Sequence, residues 1–138
     1  METVRVQSYA NLQQIVVTDH HAFVADEPAD AGDDLGPNPY ELLLASLGAC
    51  TAMTLLLYAR RKEWPLETVT VELSHDREYP EDCEDCDDPS KKVDVIRRYI
   101  LVKGDIAPEQ RERLLQIAQR CPVHKTLAAP PRIVDELD

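Results

Sequence analysis

Cysteine is scarce in this chain: four in 138 residues, too few for the disulfide framework of a small secreted domain. Positive charge is scarce as well. Fifteen Lys and Arg stand against 26 Asp and Glu, a net charge of −11. A nucleic-acid binder needs a basic face to displace counterions, so nucleic acid is excluded as a partner. An anionic membrane surface is excluded on the same ground. The N-terminus, METVRVQSYA, has an acid at position 2 and no apolar segment, so no signal peptide is read there. Internal repeats and long low-complexity segments are absent. What is left is an acidic chain read as one domain over residues 1–138. Such a domain buries roughly two-thirds of its unfolded surface without staples. The expected setting is cytoplasmic and thiol-reducing, where conspicuous cysteines are more often catalytic or metal-binding than structural.

The main departure from the charge pattern is Leu42–Ala59, LLLASLGACTAMTLLLYA, 18 residues without a charge. Its length touches the lower limit for a membrane span. Ser46, Gly48, Cys50, Thr51 and Thr54 interrupt it, and the reading is a buried core helix. A domain this small has little room to surround a helix completely, so a partner subunit is expected to cover part of it.

Short strands are predicted over residues 4–9, 12–17 and 21–25, followed by the loop DEPADAGDDLGPNP. Asn38 suits an N-cap, Pro39 the first helical position and Glu41 the capping-box position, so a helix is predicted from Pro39 to about Lys62. Arg60, Arg61 and Lys62 suit its negative end, and Pro65 stops it. Thr68–His75 alternates as a strand. Val93–Val102 is a second long strand, with Val93, Val95, Arg97, Tyr99 and Leu101 on one face. A helix starts between Asp105 and Pro108, with Leu114, Leu115, Ile117 and Ala118 as its buried stripe. Pro122 ends it and opens a short helix, and Arg132–Val134 reads as a closing strand. The order is β-β-β-α-β-β-α-β, an α+β domain.

Two cysteines fall in apolar, helix-like surroundings and form a candidate redox pair. Cys50 lies within the uncharged run, where its neighbours one turn away are Ser46, Leu47, Met53 and Thr54. A small core residue is the plainer reading, since nothing nearby in sequence would lower its pKa. Cys121 precedes Pro122 and is the expected N-cap of the short helix. Unpaired backbone N–H groups, with Arg120, His124 and Lys125, favour its thiolate there. A cap and packing residue is the plainer alternative. Cys83 and Cys86 form a single CxxC among Glu81, Asp82, Glu84, Asp85, Asp87 and Asp88. The acids would raise the thiol pKa values. A complete zinc site needs four ligands, and only His75, Cys50 and Cys121 could add to the two. A labile disulfide and a solvated loop are the other readings. Glu41 stands nine residues before Cys50, on the opposite side of a continuous helix, and is expected to act as a cap. Tyr40 is on a nearer side.

GPNPYELLLASLGACTAMTL, followed some seventy residues later by RLLQIAQRCPVHKTL, resembles the OsmC/Ohr family of thiol-dependent hydroperoxide reductases and their relatives. The resemblance covers nearly the whole chain. It implies an intertwined homodimer with the central helices buried between subunits. Cys50 then matches the cysteine that attacks the peroxide to give a sulfenic acid, and Cys121 the cysteine that resolves it to a disulfide. The resemblance also implies hydroperoxide as substrate, a dithiol such as a lipoyl group as reductant, and no metal or organic cofactor. Tyr40 occupies the position where the peroxidases carry a glutamate, with Glu41 one place later. Their N-terminal arginine has no counterpart between Arg5 and Arg60. Arg5, His20 and His21 are the groups available to replace it. Without such a cation, Cys50 is expected to hold a raised pKa and react slowly. The alternative function is a small-molecule or partner-binding dimer on the same fold.

Overall fold

The computed structural model describes residues 1–84 and 86–138. They divide into two compact units, Met1–Leu43 and Leu44–Asp138. Asp85 of the acidic CxxC segment lies outside the described residues.

The first unit is a three-stranded antiparallel meander of β1 (Arg5–Ser8), β2 (Gln14–Val17) and β3 (Ala22–Ala25), in that order. The strands are a residue or two shorter at their ends than the sequence pattern suggests, because the turns take the difference. The loop after β3 is organised by buried Asp26. Its Oδ1 accepts from the Glu27 N–H at 2.8 Å, and its Oδ2 accepts from the Asp33 and Leu35 N–H groups at 3.2 Å each. Three backbone donors in a shielded turn are satisfied by one carboxylate. The loop leads to α1 (Pro39–Lys62), which starts as its sequence predicts. The Glu41 N–H donates to Asn38 Oδ1 at 2.9 Å, and the Asn38 N–H donates to Glu41 Oε1 at 3.0 Å.

In the second unit, β4 (Leu66–Glu78) and β5 (Val93–Gly104) form a long antiparallel hairpin with a bulge between Leu66 and Thr68. Alternation sets its two faces. Val69, Val71, Leu73 and His75 lie opposite Val102, Ile100, Arg98 and Ile96, and all eight are partly buried. Val93, Arg97, Tyr99 and Leu101 face outward instead. Gly104, at φ +140°, turns the chain away from β5 towards α2 (Pro108–Ala118). This helix begins at Pro108. α3 (Pro122–Ala128) follows after a short break. The core gathers Leu55 and Tyr58 of α1, Ile106, and Leu114, Ile117 and Ala118 of α2, with Val69, Ile100 and Val102 packed against them.

Two expectations are corrected. No strand forms over Arg132–Val134, so the chain ends helix–helix, and the element order is β-β-β-α-β-β-α-α. The tail carries Pro130 and Pro131 immediately before it, which restrict the backbone and remove two ladder donors. Leu115 is 61% exposed and does not belong to the buried stripe of α2. At about 100° per residue it is rotated off the Leu114–Ile117–Ala118 side. In line with the small size of the chain, α1 is not covered all round within it. Ala45, Ala49, Met53 and Leu57, spaced four apart, form an exposed stripe, with Met53 at 62% and Leu57 at 58%. By length and composition α1 could cross a membrane, a test that core helices also pass.

Candidate active site

Cys50 and Cys121 stand 71 positions apart (121 − 50) and meet in the second unit, near enough that each perturbs the other's ionisation. The fold brings them together through two helix features. Cys50 sits mid-α1 and is half-buried. Cys121 is the N-cap of α3, with Pro122 at the first helical position, as its sequence predicts. It is 0% exposed.

The two sulfurs have unequal surroundings. Burial pushes the Cys50 thiol up, and its contact with Cys121 adds to the rise. The Val123 N–H and the Thr54 hydroxyl only partly offset this. Burial also opposes ionisation of Cys121. The Cys50 thiol, the His124 and Val123 amides and the Thr51 hydroxyl around it outweigh that burial and draw Cys121 below its ordinary value, although its side chain makes no capping hydrogen bond to α3.

A polar group beside the pair was not singled out from the sequence. Arg98 of β5 sends its guanidinium to α1 and α3 together. Nη1 donates to Thr51 Oγ1 at 2.9 Å, and Nη2 lies 3.1 Å from His124 Nδ1. Arginine has donors only, so His124 Nδ1 accepts and its proton sits on Nε2. Thr51 is fully buried and its own hydroxyl is 2.7 Å from the Leu47 carbonyl. Gly48 lets α1 come close enough for this. A Cβ there would stand 2.8 Å from Leu73 Cδ1, and Leu73 is paired with Arg98 across the hairpin. Arg98 and His124 also line a cavity of about 340 Å³ whose apolar wall includes Leu47, Ile96, Ile100 and Leu127. That is one guanidinium at the edge of an apolar pocket, a combination suited to an organic molecule with a polar end.

Of the other residues singled out in the sequence, Arg5, His20, His21, Tyr40 and Glu41 belong to the first unit. Arg5 is on exposed β1. The N–H groups of His20 and His21 face Thr18 Oγ1 in the β2–β3 turn, at 3.4 and 3.1 Å. Tyr40 is in the first turn of α1, and Glu41 closes the capping box there. Cys83 and Cys86 lie in the loop between β4 and β5, with Cys86 Sγ 3.5 Å from the Cys83 carbonyl. The Cys86 thiol is pushed up, by its hydrogen bond with Cys83 and then by burial. His75 pairs instead with Asp94, Nε2 to Oδ1, at 2.9 Å. Among the described residues no three His, Cys, Asp or Glu side chains converge as a metal site.

The family model described as OsmC-like protein matches residues 32–134. No curated protein matches the chain. Among solved structures, an OsmC-like protein from Mycoplasma pneumoniae superposes with a TM-score of 0.75 at 16% identity, over 94% of this chain and 89% of that one. An organic hydroperoxide resistance protein from Legionella pneumophila gives 0.67 at 14%, over 94% and 90%. The organic hydroperoxide resistance protein OhrB of Bacillus subtilis gives 0.62 at 20%, over 94% and 92%. At these identities the likeness is one of fold.

Proposed function

The chain belongs to the OsmC family, and on that premise we propose that it reduces organic hydroperoxides through Cys50 and Cys121. The observation that carries the reading is that Cys50 and Cys121, one half-buried and one fully buried, come near enough for each to perturb the other's ionisation. The Cys50 sulfur attacks the distal peroxide oxygen. An S–O bond forms, the O–O bond breaks, an alcohol leaves, and Cys50 becomes a sulfenic acid. The Cys121 thiolate then attacks the Cys50 sulfur. An S–S bond forms and hydroxide leaves, to be protonated to water. An external dithiol restores both thiols by exchange and is itself oxidised to a disulfide. The apolar cavity beside Arg98 would take the organic part of the peroxide. The names of the Legionella and Bacillus proteins, organic hydroperoxide resistance, agree with this substrate class. A cytoplasmic homodimer is part of the proposal, with the exposed stripe of α1 covered by a second copy.

Brief exposure of the reduced protein to an organic hydroperoxide, followed by non-reducing peptide mapping, tests the reading. A rapid Cys50–Cys121 disulfide is expected. A Cys50 that stays unmodified would reject it and leave the second reading, a ligand-binding dimer, which the same cavity supports. A Cys83–Cys86 disulfide alone would make the loop the redox element.

A further inference from the structure

The chain has only 15 Lys and Arg, and three of them crowd one aromatic ring. Tyr58 of α1 is 8% exposed and belongs to the core cluster. Arg61 and Lys62 in the last turn of α1 and Arg113 of α2 lie 5.7, 5.8 and 5.9 Å from its ring centroid. Arg113 Nε also donates to the Tyr58 hydroxyl at 3.2 Å, and its Nη1 donates to Gln116 Oε1 at 2.8 Å. The Arg113 hydrogen bond draws the phenol below its ordinary value, and the charges of Arg113, Lys62 and Arg120 add to this against the effect of burial. Two ordinary roles account for part of the arrangement. A ring has two faces for cation–π contact, and the carbonyl end of α1 carries about half a negative charge. Four cations exceed what these can balance. The ion pairs among the described residues involve His75, Arg77 and Arg97 instead. The phenolic proton of Tyr58 and Nη2 of Arg113 likewise meet no acceptor among the described residues.

We propose that the junction of α1 and α2 around Tyr58 binds a small multivalent oxyanion of the phosphate type, with Arg61, Lys62, Arg113 and the Tyr58 hydroxyl as its donors. The donor set argues the class. A phosphoryl group brings about 1.5 to 2 negative charges at pH 7 and three strong acceptor oxygens. A guanidinium fork, an ammonium and a phenol can share these. A carboxylate brings one charge and two oxygens, and leaves most of the donors unused. Size argues against a larger polyanion. At a net charge of −11 the chain as a whole repels nucleic acid and acidic proteins. An ion smaller than the ~8 Å screening length at physiological salt responds to the local cluster instead. The recognised chemistry is the same whether the group arrives as the free ion or as a phosphate monoester. The inference stands apart from the peroxidase reading and uses neither Cys50 nor Cys121.

Trp64 supplies the readout. It is the one tryptophan of the chain and meets the Tyr58 ring edge-on, with centroids 5.4 Å apart. The whole chain is titrated with orthophosphate, and separately with glycerol phosphate, while Trp64 emission is followed and sodium chloride holds the ionic strength constant. A saturable change with both is expected, and equal midpoints would assign recognition to the phosphoryl group itself. Saturation with glycerol phosphate alone would assign the site to a monoester. Lys62→Gln and Arg113→Gln should each raise the midpoint by about tenfold, the loss of one charge-assisted hydrogen bond. Tyr58→Phe, which keeps the ring, should raise it by about threefold. Arg97→Gln, at a residue paired with Glu78 on the outward face of β5, should leave it unchanged. An emission change that stays linear in phosphate, or that matched additions of sodium chloride reproduce, would be screening and would overturn the proposal. A saturable midpoint moved by neither Lys62→Gln nor Arg113→Gln would overturn it too. If Arg113→Gln does not fold, Lys62→Gln, at an exposed position, decides.

Discussion

At the scale of single residues, the site is defined by how two like side chains are made unlike. Cys121 is held below its ordinary value despite its burial, and Cys50 is raised. This has a consequence for stability. Between the folded value of Cys121 and the unfolded thiol range near ~8.5, the unfolded chain holds a proton that the folded chain has lost. Stability therefore rises with pH across that window, is fully present above it, and is lost as pH falls through the folded value. Cys50 acts in the opposite sense, but only above the ordinary range. Urea midpoints of the reduced protein from pH 6 to 9 should climb for the wild type and stay flatter for Cys121→Ser. Parallel curves would mean that Cys121 is not the charged member. The two cysteines were legible in the sequence because each stands at a break in pattern, one in a run without charge and one against a proline. Arg98 was not. Its partner Thr51 is 47 positions away, and nothing in the local sequence joins the two. Alternation already separates the two faces, but not their partners: Arg97 pairs outward with Glu78, while Arg98 reaches Thr51 of α1.

At the scale of elements, the ends of α1 show what local sequence can and cannot specify. Its start needs only neighbours, Asn38 and Glu41, and was legible to the residue. Its end is a left-handed turn at Glu63, φ +56°, closed by the Trp64 N–H on the Ala59 carbonyl at 2.9 Å and the Glu63 N–H on the Arg60 carbonyl at 3.2 Å. Such a turn usually employs glycine, because a Cβ is strained there. Glu63→Gly should therefore stabilise the protein by roughly 0.5–1 kcal/mol despite glycine's larger unfolded entropy. The urea midpoint checks this, and a loss of stability would show that the Glu63 side chain contributes more than its backbone strain costs. The hairpin β4–β5 was legible from its alternation, although it extends three residues further at the end of β4 than the pattern suggested, to Glu78. The closing strand was misread because Arg132–Val134 has β-branched residues but no partner to pair with in the fold. Strand propensity records fitness for a sheet, not the presence of one.

At the scale of the whole molecule, a chain with a net charge of −11 exposes Ala45, Ala49, Met53 and Leu57 along one side of its central helix. The four-residue spacing is that of a helix–helix contact. Leu57→Glu should shift sedimentation from about twice the 15.6 kDa chain mass towards the single chain. Unchanged sedimentation would remove α1 from the interface. If a second copy covers that stripe, folding and association are one reaction. The melting temperature of the reduced protein then has no fixed value: it falls as the sample is diluted, because mass action favours chains that are both separate and unfolded. An unpartnered helix face thus makes the cell's abundance of this protein a determinant of how much of it is folded.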